Sequence, residues 1–353
     1  MDKLKKFTES SLFLPLVALA ALLLFNIFFV DGFLNIQMTE DGRLYGRLID
    51  ILNRSSSLII LSLGMTFVIA TSGIDISVGA VVAISSAVVC TLIGGNGNGT
   101  AQTPMILAML AAIAAGVVCG AWNGLLVAKF KIQAVVATLI LMTAGRGIAQ
   151  LLTEGQIITV YYKPFSYIGG TIPGNILPST IFIALAMVLL VLFIMKKTSI
   201  GLFVQSVGIN QVASRFAGIN VTRVIFLVYA FSGFCAAISG LIESSLIRAA
   251  DANNAGLNME MDAILAVALG GTLLSGGKFY IGGSVIGAIT IQTLTTTMYA
   301  VGVASDQLPV IKAIAVILIC LIQSKRFQQT ISDWKARRQQ AARDFDGKAV
   351  HKA

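Results

Sequence analysis

Three kinds of residue are scarce in this chain, and each scarcity closes off a class of chemistry. The sequence of 353 residues holds a single histidine, His351, so a histidine-based metal site or proton relay cannot be assembled from it. Charged residues make up 12% and hydrophobic ones 56%, against about 25% and 45–50% in soluble domains; that balance suits a chain immersed in lipid. The four cysteines, Cys90, Cys119, Cys235 and Cys320, lie far apart inside apolar runs with no Cys-x-x-Cys pair. They read as small buried hydrophobes.

What the sequence has in excess is long apolar stretches. They fall at 12–30, 58–72, 78–93, 104–128, 133–152, 179–195, 224–242, 261–275, 280–298 and 307–323. The expected fold is all-α and polytopic, with about ten transmembrane segments, although those flanking two internal breaks are shorter than the roughly 20 residues of a full crossing. The 34 glycines suit helices that pack closely in lipid. A net charge of +9 would fit a nucleic-acid binder, but its placement excludes that partner. Counting spans from an inside N-terminus, 18 of the 25 lysines and arginines fall on one side: the N-terminus, Lys129, Lys131, 196–223, Lys278 and the tail. Basic residues collect on the cytoplasmic side, so both termini are expected there. The first run follows Lys3, Lys5 and Lys6 and ends without a small-x-small cleavage site, so it reads as a retained span and not a cleaved signal. Residues 1–325 form the transmembrane domain in this reading, and 326–353 a basic cytoplasmic tail. Spacing from Leu44 to Leu52 predicts a short interfacial helix, and Pro164, Pro173 and Pro178 argue against a continuous helix over 153–178.

The first break, at Thr71-Ser72-Gly73 before Asp75, puts a carboxylate between two apolar runs. A charge there costs about 2.5 kcal/mol or more on insertion scales. Broken helices inside a membrane are tolerated where they face protein or a watery cavity, which is how transporters build pathways. A second apolar-break-apolar pattern follows at 262–289, with Ser-Val-Gly-Ala at 77–80 echoed by Ser-Val-Ile-Gly-Ala at 284–288, as duplicated halves would produce. Gly276-Gly277-Lys278 is no phosphate-binding loop: Thr272 and Phe279 stand where that motif needs glycine and a hydroxyl residue. The longest inner loop, 196–223, contains Asn210 as an N-cap, two helical turns and Gly218 as a left-handed C-cap. Its short helix offers Val212, Phe216 and Ile219 either to lipid or to a cytoplasmic partner.

Gly-Ile-Asp-Ile-Ser-Val-Gly at 73–79, Val-Gly-Ile-Asn at 207–210 with Ala217-Gly218-Ile219, and Leu-Gly-Gly-Thr-Leu-Leu-Ser-Gly-Gly at 269–277 occur in order. Together they resemble the permease subunits of bacterial ABC importers for monosaccharides, the branch serving ribose, xylose and galactose, over about residues 45–325. Asp-Gly-Arg-Leu-Tyr-Gly at 41–46 and Ala-Asp-Ala-Asn-Asn-Ala-Gly-Leu at 250–257 are most similar to a galactofuranose-type permease. The resemblance implies a multi-pass protein of the bacterial inner membrane that moves a sugar inward and is not itself an enzyme. It implies a cytoplasmic ABC ATPase carrying ATP and magnesium, a periplasmic sugar-binding protein, and a second permease chain, identical or different. No cofactor is expected in this chain. The loop at 203–220 becomes the ATPase-coupling element, with Gly208, Asn210, Val212, Phe216 and Gly218 as its candidate residues; Gln205-Ser206 departs from the Glu-Ala of many relatives. A sugar path needs hydrogen-bonding groups, and the candidates are Thr71, Ser72, Asp75, Asn123, Gln150, Asn253 and Asn254. Each has a plainer reading: Asp75 as a helix cap, Asn123 as an interhelical hydrogen bonder. Arg146 calls for an acidic partner, whereas Glu243 and Asp262 lie near span ends where water would reach them. The rival reading is a secondary sugar transporter driven by an ion gradient, with Asp75 as its titrating acid.

Overall fold

The computed structural model describes residues 12–39, 42–94, 99–304 and 306–323. Lys3, Lys5, Lys6, His351 and the tail at 326–353 lie outside the described residues, as does the Cys320 side chain. The chain divides into two units, Met1–Val301 and Gly302–Ala353.

In the first unit, α1 (Phe13–Phe29) leads to a hairpin of β1 (Gln37–Met38) and β2 (Leu44–Tyr45), and then to α2 (Arg47–Ala70). The interfacial helix expected over 44–52 is not formed. Nothing from Arg47 to Ser57 breaks a helix, and Asp50 pairs with Arg54 one turn on at 3.0 Å, the spacing that supports helix. Ser55 and Ser56 return their hydroxyls to the Leu52 carbonyl at 3.1 and 2.8 Å. The second apolar run is therefore part of a 24-residue helix and not a half-crossing.

The order continues with α3 (Val78–Ile93), α4 (Met105–Ala128), α5 (Ala134–Leu152), β3 (Ile158–Thr159), α6 (Lys163–Gly169) and α7 (Ser179–Lys197). After these come α8 (Ile200–Ile209), α9 (Gln211–Phe216), α10 (Val221–Ile247), β4 (Ala249–Ala250), α11 (Met259–Leu269) and α12 (Ile281–Ala300). The described part of the second unit contains α13 (Leu308–Gln323). Among the described residues, α2, α4, α5, α7 and α10 are long and apolar enough to cross a membrane. Pro164 sits in the first turn of α6, where a missing N–H costs nothing, and β3 pairs antiparallel with β4.

The core sits on α2, every residue of which is buried from Ser55 to Ala70. It packs against α10, α12, α7 and α11, while α10 also lies along α4 and α3. Close approach of α4 to α10 rests on Gly116, Gly120 and Gly124, one turn apart. A Cβ at Gly116 would come 2.6 Å from the Ala237 Cβ, one at Gly120 2.9 Å from the Gly233 Cα, and one at Gly124 2.9 Å from the Phe226 carbonyl oxygen. Without a hydrophobic driving force between helices in lipid, such backbone contact is what holds them together. Helix α1 joins through α12, where Asn26 Nδ2 donates to Thr297 Oγ1 at 2.7 Å.

Candidate functional site

Both breaks begin with the same helix stop. At the end of α2, Ser72 N–H donates to the Ile69 carbonyl at 2.9 Å and Gly73 N–H to the Val68 carbonyl at 3.0 Å. At the end of α11, Gly271 N–H donates to Ala268 at 3.0 Å and Thr272 N–H to Val267 at 3.3 Å. This is the Schellman pattern, whose C′ residue adopts a left-handed conformation. Gly271 takes it at φ +83°, but in α2 the position is filled by Ser72 at φ 63°, a conformation that costs a residue with a Cβ on the order of 1–3 kcal/mol. The second break therefore starts at Leu269, six residues before the end of the apolar run read from sequence, because Gly270-Gly271 terminates the helix. The two elements then differ: α11 and α12 fold back on each other, whereas α2 and α3 scarcely touch.

What holds Ser72 in place is the loop at 196–223 together with the second break. Its hydroxyl proton is shared between the Gly208 carbonyl at 3.1 Å and the Ser275 carbonyl at 2.9 Å, while Gly277 N–H donates to the Ala70 carbonyl at 2.9 Å. Three segments far apart in sequence, the first break, the second break and the end of α8, thus meet at one point. Gly208 is required there: a Cβ would overlap the Ala70 carbonyl oxygen and stand 2.6 Å from Gly277 N. Directly after it, Asn210 Oδ1 accepts from Val212 N and Ala213 N, both at 2.9 Å, and so caps α9. That helix stops in another Schellman pattern with Gly218 at φ +82°. Between the caps, Phe216 is 90% and Val212 59% exposed, an apolar tip with nothing of its own unit upon it. The loop carries α8 as well as α9, one helix more than its sequence suggested.

Asp75 is buried, at 1% exposure. Its Oδ1 accepts from Ser77 N at 3.1 Å and Ser77 Oγ at 2.6 Å, and its Oδ2 from Ser232 Oγ of α10 at 3.0 Å. Asn123 Nδ2 of α4 donates to Ser77 Oγ at 2.8 Å. The carboxylate therefore organises the start of α3 and ties it to α4 and α10. Asn123 Oδ1 and the Tyr229 hydroxyl are buried beside this network and have no hydrogen-bond partner among the described residues.

A third group lies beyond the end of α10. Asp251 Oδ1 accepts from the N–H groups of Asn253 and Asn254 at 3.0 and 3.2 Å, and Asn254 Nδ2 donates to Oδ2 at 2.7 Å. The Asn254 amide, with those two N–H groups and the Arg146 guanidinium, holds the Asp251 carboxyl below its ordinary value. Gln150 Nε2 donates to Asn253 Oδ1 at 2.6 Å. Arg146 donates directly to carbonyls, Ala252 at 3.3 Å, Asn253 at 3.4 Å and Ala255 at 2.5 Å, while the carboxylates of Glu260 and Asp251 act on it through space without an ion pair. Three carbonyl oxygens converging on a guanidinium satisfy N–H donors of a group that has no acceptor of its own. Glu243, half-buried, has a partner in Ser57, whose Oγ donates to its Oε1 at 2.5 Å. Asp262 is half-buried.

The seven pathway candidates thus separate into Thr71 and Ser72 at the junction, Asp75 and Asn123 in the buried network, and Gln150, Asn253 and Asn254 at the Asp251 loop. Thr71 turns its hydroxyl to the Val68 carbonyl at 2.9 Å. Ser77, Ser232, Tyr229 and Ser275 escaped sequence reading because serine and tyrosine inside apolar runs carry no pattern. The glycine pair at 276–277 did carry one, with φ of +88° and +91°.

Comparison with known proteins gives a consistent result. A family model described as "Branched-chain amino acid transport system / permease component" matches residues 47–322. The galactofuranose transporter permease protein of Escherichia coli K12 is 44% identical over 91% of this chain and 92% of its own. The fructose import permease protein of Bifidobacterium longum is 37% identical over 95% and 93%. The ribose import permease protein of Escherichia coli K12 is 35% identical over 79% and 86%. No solved structure matches.

Proposed function

The chain belongs to the family of branched-chain amino acid transport system permease components, and on that footing we propose that it is the transmembrane subunit of an ATP-driven importer that carries a monosaccharide inward across a bacterial inner membrane. It is a transport subunit and not an enzyme, as its relatives are named permeases. The substrate class comes from those relatives, and a furanose such as galactofuranose is the favoured cargo because that relative is similar over nine-tenths of both chains. ATP and magnesium reside on a separate cytoplasmic ATPase, a periplasmic binding protein delivers the sugar, and a second permease chain, the same or different, completes the core.

The observation that carries the mechanism is the meeting of Ser72, Gly208 and Gly277. The ATPase grips the exposed α9 tip through Phe216 and Val212 and moves α8. Because α8 is bonded to the first break through Ser72, and the first break is bonded to the second through Ser275 and Gly277, the two broken elements shift together, and access to the path alternates. Ten spans with both termini in the cytoplasm place α9 on the ATPase side. The shared helix stop of α2 and α11 supports their being counterparts in duplicated halves. Sugar hydroxyls meet Asn and Ser groups that hydrogen-bond without holding a net charge, so discrimination rests chiefly with the binding protein.

The test is reconstitution of the chain with its ATPase and binding protein in vesicles, followed by uptake of labelled galactofuranose, ribose and fructose. ATP-dependent uptake of one of them is expected. Uptake driven by an ion gradient without ATP would replace this reading with the secondary transporter.

A further inference from the structure

Beside the docking loop lies a cavity of about 400 Å³ between α2, α4, α7, α8 and α10. Its walls are wholly apolar, including Phe67, Val191, Met195, Phe203, Val224 and Phe231. No hydrogen-bonding side chain lines it, so it offers nothing to a sugar and does not belong to the transport path. Polarity begins at its rim. Met195 is followed directly by Lys196 and Lys197, and Val224 is preceded directly by Arg223. All three cations are exposed, and among the described residues none has a carboxylate within 4.0 Å. Unpaired cations at helix ends beside an apolar cleft have the charge pattern that recognises an anionic lipid headgroup, and an acyl chain is the apolar material that a bilayer supplies.

We propose that this cavity is a binding site for one anionic phospholipid, its acyl chain lying among α7, α8 and α10 and its phosphate held by Lys196, Lys197 and Arg223. Phe203 belongs to the helix that carries Gly208, so the lipid braces α8 where α8 meets the two breaks. The inference rests on the chain's residence in a bilayer and not on its cargo, so its failure would leave the transport reading untouched.

The experiment is native mass spectrometry of the full-length chain equilibrated with equal amounts of phosphatidylglycerol and phosphatidylcholine. Wild type is expected to retain phosphatidylglycerol at least tenfold over phosphatidylcholine. The triple variant Lys196→Gln, Lys197→Gln, Arg223→Gln is expected to lose that preference while still binding lipid. Ala230→Phe, which fills the cavity, is expected to lower retention of both at an unchanged melting midpoint. If that variant melts early, Leu227→Trp at the 61%-exposed rim makes the same test. Equal retention of the two lipids by wild type, a preference that survives the charge variant, or undiminished binding by a folded cavity-filling variant would each overturn the proposal.

Discussion

Replacing Gly208 with alanine tests whether the docking loop drives the two breaks. The new methyl would overlap the Ala70 carbonyl oxygen and stand 2.6 Å from Gly277 N, where contacts under 3.0 Å are essentially never seen. Both neighbours are backbone, so neither can swing aside, and α8 must retreat by roughly 1 Å. That displacement breaks the Ser72 hydroxyl contact to Gly208, worth about 1 kcal/mol net. A loss of about 1 kcal/mol lowers the engaged arrangement roughly fivefold. The docking tip at Phe216 is untouched, so the ATPase should still bind and hydrolyse ATP. In proteoliposomes, sugar moved per ATP is expected to fall by about fivefold, with ATPase co-purification unchanged. Gly147→Ala, whose methyl meets nothing within 4 Å, is the control and should transport normally. Normal coupling in Gly208→Ala would refute the reasoning.

Three further outcomes are expected. Ser72→Ala keeps the left-handed strain and loses both hydroxyl bonds, whereas Ser72→Gly loses the bonds but relieves the strain; the glycine variant should melt higher by the equivalent of about 1 kcal/mol, and equal melting would contradict the strain. Phe216→Glu places a charge on a tip that is 90% exposed, so it should abolish ATPase co-purification without lowering the melting midpoint of the isolated chain. The Asp251 carboxyl is depressed chiefly by the Asn254 amide. The order it gives the loop is therefore complete above the ordinary carboxylate value and is lost as pH falls through the lower, folded value. Hydrogen exchange at Asn253 and Asn254, corrected for intrinsic rate, should stay slow down to about pH 4 and accelerate below it; Asp251→Asn should remove that dependence.

The helices were legible where apolar content alone decides them: the runs at 104–128 and 133–152 became Met105–Ala128 and Ala134–Leu152. The caps of α9 were legible too, because Asn210 and Gly218 act through their own backbone. Length failed at α2, where 44–52 read as a short interfacial helix of its own although Arg47–Ala70 is one continuous helix. Partners failed most often. The direct partners of Arg146 are carbonyls, which a sequence does not display as it displays charges, and Ser72 reads as a pathway hydroxyl because the distant Gly208 and Ser275 that occupy it cannot be seen along the chain.

The glycine contact between α4 and α10 has a mechanical consequence. Where Gly120 meets Gly233, backbone lies on backbone, so there is little compliant side chain to absorb shear, and sliding would drive one backbone into the other. The pair must travel as a single strut. Helix α10 is 27 residues long, about 40 Å, and it runs from the end of the docking loop to the start of the Asp251 loop. A push received at one end therefore arrives at the other with little damping, which gives the two faces of the molecule a stiff line of communication that bypasses the breaks.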